Sequence, residues 1–466
     1  MESKKIAVIS DMNTMIKTIR WGLAFLLLAG SSLSIAQAQQ PLTLKDALDY
    51  ALNNSEALKK ARLDIETGRL KVAEVRGSAL PQIDGVSTLT NNLLVQQFIL
   101  PAEFMGGNPG EFIAVKAGQT WNAMSQVQLS QQIFNQQVFT GLKAAKGSEA
   151  YYRLAAQLSE ENLIQQVATN YYQVIITREQ LEVIDANLER ISQLEKMVAS
   201  QYEVGLAKKI DLDRIKVNKG NLLAQREQLE YAVVQQENLL KYYMGMPISE
   251  SIQIAEADVV GLEKQGLALS GQDNFNVDNL TAYQLLGVQE DLLELQRKAY
   301  IAEYFPSLSL GGNYMYNSQS NSLNVYSNKA LNYDVASVSL NLRVPIFDGF
   351  KRRSKVSQAN IELEKVREDL RQTNNALAMS YENAKIQLKN NLNTIETQFA
   401  NKEFAQEVFE STQANYKNGL ATLTDLLTAE TELVAAQNSY NQALLNFKVA
   451  EIELIKSNGN IKSLVK

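Results

Sequence analysis

The sequence predicts a mainly α-helical chain: long coiled helical hairpins combined with four β-strands that belong to a transmembrane β-barrel. Three observations predict it. The stretch Tyr202-Glu-Val-Gly205-Leu206-Ala returns as Tyr416-Lys-Asn-Gly419-Leu420-Ala, about 214 residues later, with Asp211 and Asp425 in the same register. Each copy interrupts a long helical run, and a Gly that closes one helix followed by an Asp that opens the next marks a helix–turn–helix tip. Ahead of each hairpin lie two stretches of alternating apolar and polar residues, the period of a strand with unlike faces.

Composition narrows the function. Seven Pro and 23 Gly in 466 residues are few, which favours long regular elements. The chain has no Cys and no His, so it lacks a disulfide scaffold, the commonest general base and the commonest transition-metal ligand. No nucleophile–base cluster appears, and an enzyme is the least supported class. The ten Met are scattered, as packing residues are. A net charge of −6 without a basic patch gives no reason to expect nucleic acid.

Residues 1–38 read as a signal-peptide region. Lys17 and Arg20 follow Met15, the expected start; Trp21 to Leu33 is an apolar core, and Ala36-Gln37-Ala38 offers a cleavage site. The core is too short for a membrane helix, and no Cys follows for a lipid anchor. A first repeat, 39–247, begins with helical spacing of Leu44, Ala47, Leu48, Ala51 and Leu52, and one helix is expected over 42–79. It ends at Leu80-Pro81, because the residue before Pro is pushed out of the helical region. A strand is expected from 82, with Ile83, Gly85, Ser87 and Leu89 on one face. Residues 93–119, with Pro101, Gly106, Gly107 and Pro109, read as a long loop. That loop is apolar (Phe98, Ile99, Leu100, Phe104) and is either a partner surface or packed on itself. Alternation returns at Trp121, Ala123, Ser125, Val127 and Leu129. From about Gln137 to Tyr202 little breaks a helix, which at ~1.5 Å per residue is on the order of 100 Å long. After the tip a return helix runs from about Lys209 to Tyr243 and stops at Gly245-Met-Pro247.

Residues 248–278 read as an acidic linker with a short strand at Ile252-Gln-Ile254. The second repeat, 279–457, retraces the first. A helix from about Asn279 stops at Phe305-Pro306. Leu308, Leu310, Gly312, Tyr314 and Tyr316 line one face of the next strand, and Ala336, Val338, Leu340, Leu342, Val344 and Ile346 that of its partner. Leu342-Arg-Val-Pro345-Ile-Phe-Asp-Gly349 corresponds to Leu129-Ser-Gln-Gln-Ile-Phe-Asn135. Heptads follow: Leu426, Leu433, Tyr440, Phe447 and Leu454 are seven apart, a left-handed coiled-coil seam. Residues 458–466 form a tail.

Strands of about 10–12 residues suit a tilted outer-membrane barrel, with Trp121, Tyr314 and Tyr316 as interfacial girdle residues. A soluble sheet has the same local pattern; with it the chain would be an exported coiled-coil scaffold without a pore. Four strands cannot close a barrel, and an open edge in lipid leaves backbone groups unsatisfied, so strands in lipid require an oligomer.

These residues resemble those of the TolC-like outer membrane efflux family. The likeness rests on the duplicated tips, the Leu80-Pro81 and Phe305-Pro306 entries to strands, Pro345-Ile-Phe-Asp-Gly349 before a long helix, and the opening Leu42-Thr-Leu-Lys-Asp-Ala-Leu. The resemblance implies a homotrimer with a twelve-stranded barrel in outer-membrane lipid and an α-helical tunnel in the periplasm. It implies an exit duct of an efflux pump or type I secretion system, docked to a periplasmic adaptor and an inner-membrane transporter, with no cofactor. It makes Asp425 a gate-ring Asp, Tyr416 the gate Tyr and Asp211 its acceptor; an N-cap role for either Asp stays open beside this. Gly205, Leu206, Gly419 and Leu420 become adaptor contacts, or simple turns with a buried Leu. Two departures stand out: Ala421 where an Arg would link the helix pairs, and Thr428 where a second Asp ring would sit.

Overall fold

The computed structural model describes residues 41–255, 275–327 and 329–465. The signal-peptide region and the centre of the linker lie outside them. Residues 41–43 and 251–255 belong to a small unit in which Leu42 bridges Ile254 in parallel, with Ala255 N donating to Leu42 O at 3.0 Å. The strand expected at 252–254 is this single bridge and no more.

In the main unit, the helix expected over 42–79 is two helices, α1 (Leu44–Asn54) and α2 (Glu56–Gly77). Ser55 between them is extended (φ −55, ψ 129). The side chains of Asn53 and Asn54 bond back to the carbonyls of Asp49 and Tyr50 at 2.8 and 2.9 Å, finishing α1 locally. The first hairpin is α3 (Gln136–Glu203) with α4 (Lys209–Met244). The second repeat supplies α5 (Thr281–Ala302), α6 (Lys351–Lys417) and α7 (Leu423–Ser457). All five heptad residues of α7, Leu426 through Leu454, are buried, as a seam facing other helices requires.

Six strands are present among the described residues: β1 (Gln82–Asn91), β2 (Gln97–Pro101), β3 (Phe112–Lys116), β4 (Trp121–Phe134), β5 (Ser307–Ser320) and β6 (Leu331–Arg343). The segment expected to be a loop over 93–119 therefore holds a β2–β3 hairpin. Its apolar side chains stand exposed, Phe104 at 81%, so it is not packed on itself. β6 stops at Arg343, short of Val344 and Ile346, because Pro345 has no N–H to continue a ladder. Pro81 and Pro306 each lie one residue before a strand, β1 and β5.

The main sheet is antiparallel, ordered β1-β4-β5-β6, so the repeats meet at the β4–β5 pair. Register puts like residues in rows. Ile83, Leu129, Gly312 and Val338 are aligned across the four strands, as are Gly85, Val127, Tyr314 and Ala336. The opposite face carries Asp84, Gln128, Asn313 and Ser337 in one row and Gln82, Ser130, Gly311 and Ser339 in another. Along the half nearer the helices one face is thus apolar and the other polar; farther up, the first face carries the row Ser87, Ser125, Tyr316 and Asp334. The side-chain oxygens of Asn122, Asn313 and Asn317 on the polar face are buried without a hydrogen-bond partner among the described residues.

Every main-sheet strand joins a helix within a few residues. Asn135 caps α3, its side chain accepting from Gln137 N at 3.0 Å. Its counterpart Asp348 accepts from Arg352 N at 3.0 Å and from Arg352 Nε at 2.7 Å. Arg352 also donates to Glu303 O at 3.1 Å and lies over the Tyr304 ring at 4.9 Å. The junction turns through two left-handed residues, Gly349 and Phe350, both at φ 66. In Phe350 this is local strain, held by the contacts around it.

Candidate functional site

The two tips are built alike. Gly205 (φ 80) donates to Tyr202 O at 3.0 Å and Leu206 N to Gln201 O at 2.8 Å; Gly419 (φ 73) donates to Tyr416 O at 3.0 Å and Leu420 N to Asn415 O at 2.8 Å. This paired closure of a helix C-terminus needs a left-handed residue, hence glycine. Leu206 and Leu420 are 81% and 79% exposed, which corrects the reading of a Leu buried under each turn.

Neither Asp is an N-cap. α4 is capped at Lys208 and α7 at Thr422, three residues before Asp211 and Asp425 respectively. Asp425 completes a capping box: its N donates to Thr422 Oγ1 at 3.2 Å, and Thr422 N and Oγ1 donate to its Oδ2 at 2.8 and 2.7 Å. These bonds, the Thr422 hydroxyl first, hold its exposed carboxyl below the usual range, so it is ionised at neutral pH. Thr422→Ala should cost about 1 kcal/mol, read as a lower urea midpoint; Thr428→Ala, at an exposed site on the same helix, should shift it by less than about 0.5 kcal/mol.

Asp211 is half-buried in the first turn of α4, where a negative charge suits the helix N-terminus. Tyr416, at the end of α6, is half-buried. Burial chiefly, and the charge of Asp211 second, push its hydroxyl above its ordinary pKa. No hydrogen bond joins the two side chains among the described residues.

Behind the tips the hairpins share one apolar cluster, including Ile191 and Leu194 of α3, Leu212 and Ile215 of α4, Phe409 of α6, and Leu426 and Leu433 of α7. Polar links cross it. Arg190 Nε donates to Glu430 Oε1 at 3.4 Å, from α3 to α7, and Arg214 Nη1 donates to Thr424 Oγ1 at 2.9 Å, from α4 to α7. In both links the arginine comes from the first hairpin and the acceptor from the second. Glu430 is 3% exposed, and desolvation raises its carboxyl to about 7 although Arg190 pulls it down. Arg190, Tyr416, Lys417 and Glu430 all line a cavity of about 110 Å³ beside this pair.

The two repeats, each with two strands running into a coiled hairpin, are matched over residues 47–246 and 288–460 by the model of a family described as outer membrane efflux protein. The chain belongs to the outer membrane efflux protein family. It is 21% identical over 430 residues to the outer membrane protein TolC of Vibrio cholerae, covering 90% of this chain and 93% of that protein. It is 24% identical over 348 residues to the alkaline protease secretion protein AprF of Pseudomonas aeruginosa, covering 70% and 67%. The fold is also that of the Campylobacter jejuni CmeC outer membrane channel, with a TM-score of 0.70 and 15% identity over 90% of this chain and 85% of that one.

As a member of the outer membrane efflux protein family, the chain is an outer-membrane exit duct for efflux or secretion, with a periplasmic extension. The family is one of ducts rather than enzymes. Trp121 lies at the end of the sheet away from the helices, level with Ser320. Tyr314 is exposed at mid-strand and donates to Asp334 Oδ2 at 3.0 Å, while Tyr316 stacks on Tyr326 with centroids 6.4 Å apart. The Arg190–Glu430 and Arg214–Thr424 links were not read from sequence. The two partners of the first are 240 residues apart, and its only local trace is an acidic residue at helical spacing within the buried stripe of α7.

Proposed function

We propose that three copies close the duct, β1 of each pairing with β6 of the next. The observation that carries this is the open sheet: β1 and β6 each have one paired side, and a bare edge in lipid leaves every second backbone group unsatisfied at several kcal/mol each. Three such sheets form a twelve-stranded barrel with its apolar rows to lipid and its polar face to water. Trp121 and Tyr316 then belong to an interfacial girdle, whereas Tyr314, expected there as well, stands at mid-strand below it, and Pro81, Pro306 and Pro345 mark the strand–helix transitions. The repeats 39–247 and 279–457 supply two hairpins per copy to a periplasmic tunnel.

At its closed end Asp425 of each copy contributes to an ionised ring, with Tyr416 and Asp211 forming the contact between hairpins beside it. Repulsion among close carboxylates in a narrow pore favours cations. The exposed Leu206 and Leu420, with Gly205 and Gly419, are the surface that a periplasmic adaptor would cover. An inner-membrane transporter behind it would supply the energy.

Single-channel recording in planar bilayers tests the reading. Wild type should give small cation-selective currents, and Asp425→Asn, which keeps an oxygen for Thr422 but removes the charge, should lose cation preference. A preparation that does not insert would sink the duct; unchanged selectivity would move the constriction away from Asp425.

A further inference from the structure

The β2–β3 hairpin is a separate two-stranded sheet outside the four strands of the barrel sheet. β4 and β5 are 14 residues each. At ~3.3 Å per residue and a tilt near 40° they climb roughly 35 Å, more than the apolar band of about 25 Å. The hairpin leaves the sheet after Asn91 and returns at Trp121, so it stands beyond the strand ends, in water. Its shape is set by its turn: Ala102 N donates to Glu111 O at 2.8 Å, Gly107 N to Ala102 O at 2.9 Å, and Gly106 is left-handed at φ 81.

Both of its faces are apolar. Phe98 pairs with Val115 and Leu100 with Ile113 on one, while Ile99 and Phe112 lie on the other, 72% and 69% exposed. A lone two-stranded ribbon is marginal in water unless a face of it packs against something else. Among the described residues, the β5–β6 connection of the same chain reaches its base by a hydrogen bond, Thr120 N donating to Asn321 Oδ1 at 3.3 Å. Something else covers the ribbon.

Topology and charge name the occupant. β1 is an edge, and in the three-copy barrel the next strand beyond it is β6 of a neighbour. The β1–β4 connection is therefore flanked on that side by the neighbour's β5–β6 connection. That connection exposes Leu323 and Tyr326, at 64% and 61%, and carries Lys329 as its one charge over 321–330. The hairpin carries Glu103 and Glu111 around its turn. We infer that the β2–β3 hairpin is an inter-subunit clasp at the outer mouth of the duct, seated on the β5–β6 connection of a second copy of this chain. The inference rests on the three-copy barrel proposed above.

The chain has no Cys, so disulfide trapping is direct. The pair Ile99→Cys with Leu323→Cys, and as an independent pair Phe104→Cys with Tyr326→Cys, would be oxidised in outer-membrane vesicles and run on non-reducing gels. The second pair serves if the first fails to assemble. A clasp between copies gives covalent dimers and trimers that reduction removes. A band at monomer size shifted by an internal disulfide, or no cross-link in protein whose mass in detergent is that of a trimer, overturns the clasp and leaves the barrel standing. The second outcome is also that of a hairpin covered by lipid. A monomeric mass in detergent overturns the three-copy barrel itself, and the clasp with it.

Discussion

Gly245→Ala should destabilise the chain by about 3 kcal/mol, a sum of two separate penalties. Gly245 ends α4 in the left-handed conformation, φ 71 and ψ 31. Any L side chain there costs about 1–2 kcal/mol. Here the added Cβ would also lie 2.6 Å from Asn54 O, 2.8 Å from Asn54 C and 2.9 Å from Ser55 Cα. Those are backbone atoms at the α1–α2 break and cannot swing aside as a side chain can. Forced overpacking of that kind adds roughly 1–3 kcal/mol. Gly419→Ala is the matched control. Its φ of 73 is nearly the same, but nothing lies within 4 Å of its added Cβ. It should lose only the conformational part, about 1–2 kcal/mol. Urea titration of both variants in detergent, followed by helical circular dichroism, separates the cases. Equal midpoints would mean that the α1–α2 break moves away freely, and the close approach would then have no energetic content.

The same residue marks where sequence reading succeeds and where it stops. The end of α4 was legible at Gly245-Met-Pro247, because a left-handed closing residue and a following Pro are local signals. The break at Ser55 was not. Asn53-Asn54-Ser55 contains neither Gly nor Pro, and the apolar spacing runs straight through it; what the break accommodates is the distant Gly245. The long helices were legible, α3 expected from about Gln137 and found at Gln136–Glu203, since a period sustained over many turns leaves no competing reading. The β2–β3 hairpin was missed for the opposite reason. Each strand has five residues, and with both faces apolar no alternation survives to announce it. At the tips the turn glycines were legible. The capping role of Asp425 was assigned to the wrong position, although Thr422-Leu-Thr-Asp425 has the spacing of a capping box. The Arg190–Glu430 pair depends on which faces of two distant hairpins meet, and no local pattern encodes that.

That pair gives the second large expectation: packing between the hairpins should tighten as pH falls from 7 towards 5. Glu430 binds its proton near pH 7 when buried, against an ordinary value of 4.5, so the packed state holds a proton that the separated state has released. Stability from this group is therefore fully present below about pH 4.5 and is lost as pH rises through 7. The shift corresponds to about 3 kcal/mol. Desolvation outweighs the attraction of Arg190, so the ion pair at pH 8 is a weaker clamp than the neutral acid at pH 5. The other groups facing Glu430 are Arg190 on α3 and Tyr416 and Lys417 on α6. Tyr416, with its hydroxyl raised above 10, stays neutral throughout this range. Glu430→Gln should therefore remove most of the difference in urea midpoint between pH 5 and pH 8, and at pH 8 should be the more stable protein. Arg190→Leu should act in the reverse sense. It costs about 3 kcal/mol at pH 8, where it strands a buried carboxylate, and much less at pH 5, where the acid is neutral. A pH slope that survives Glu430→Gln would assign the titration to other carboxylates. If the slope vanishes, the pH dependence of the packing between the two hairpins is set by the protonation of one buried side chain, and a rise in pH through neutrality weakens that packing.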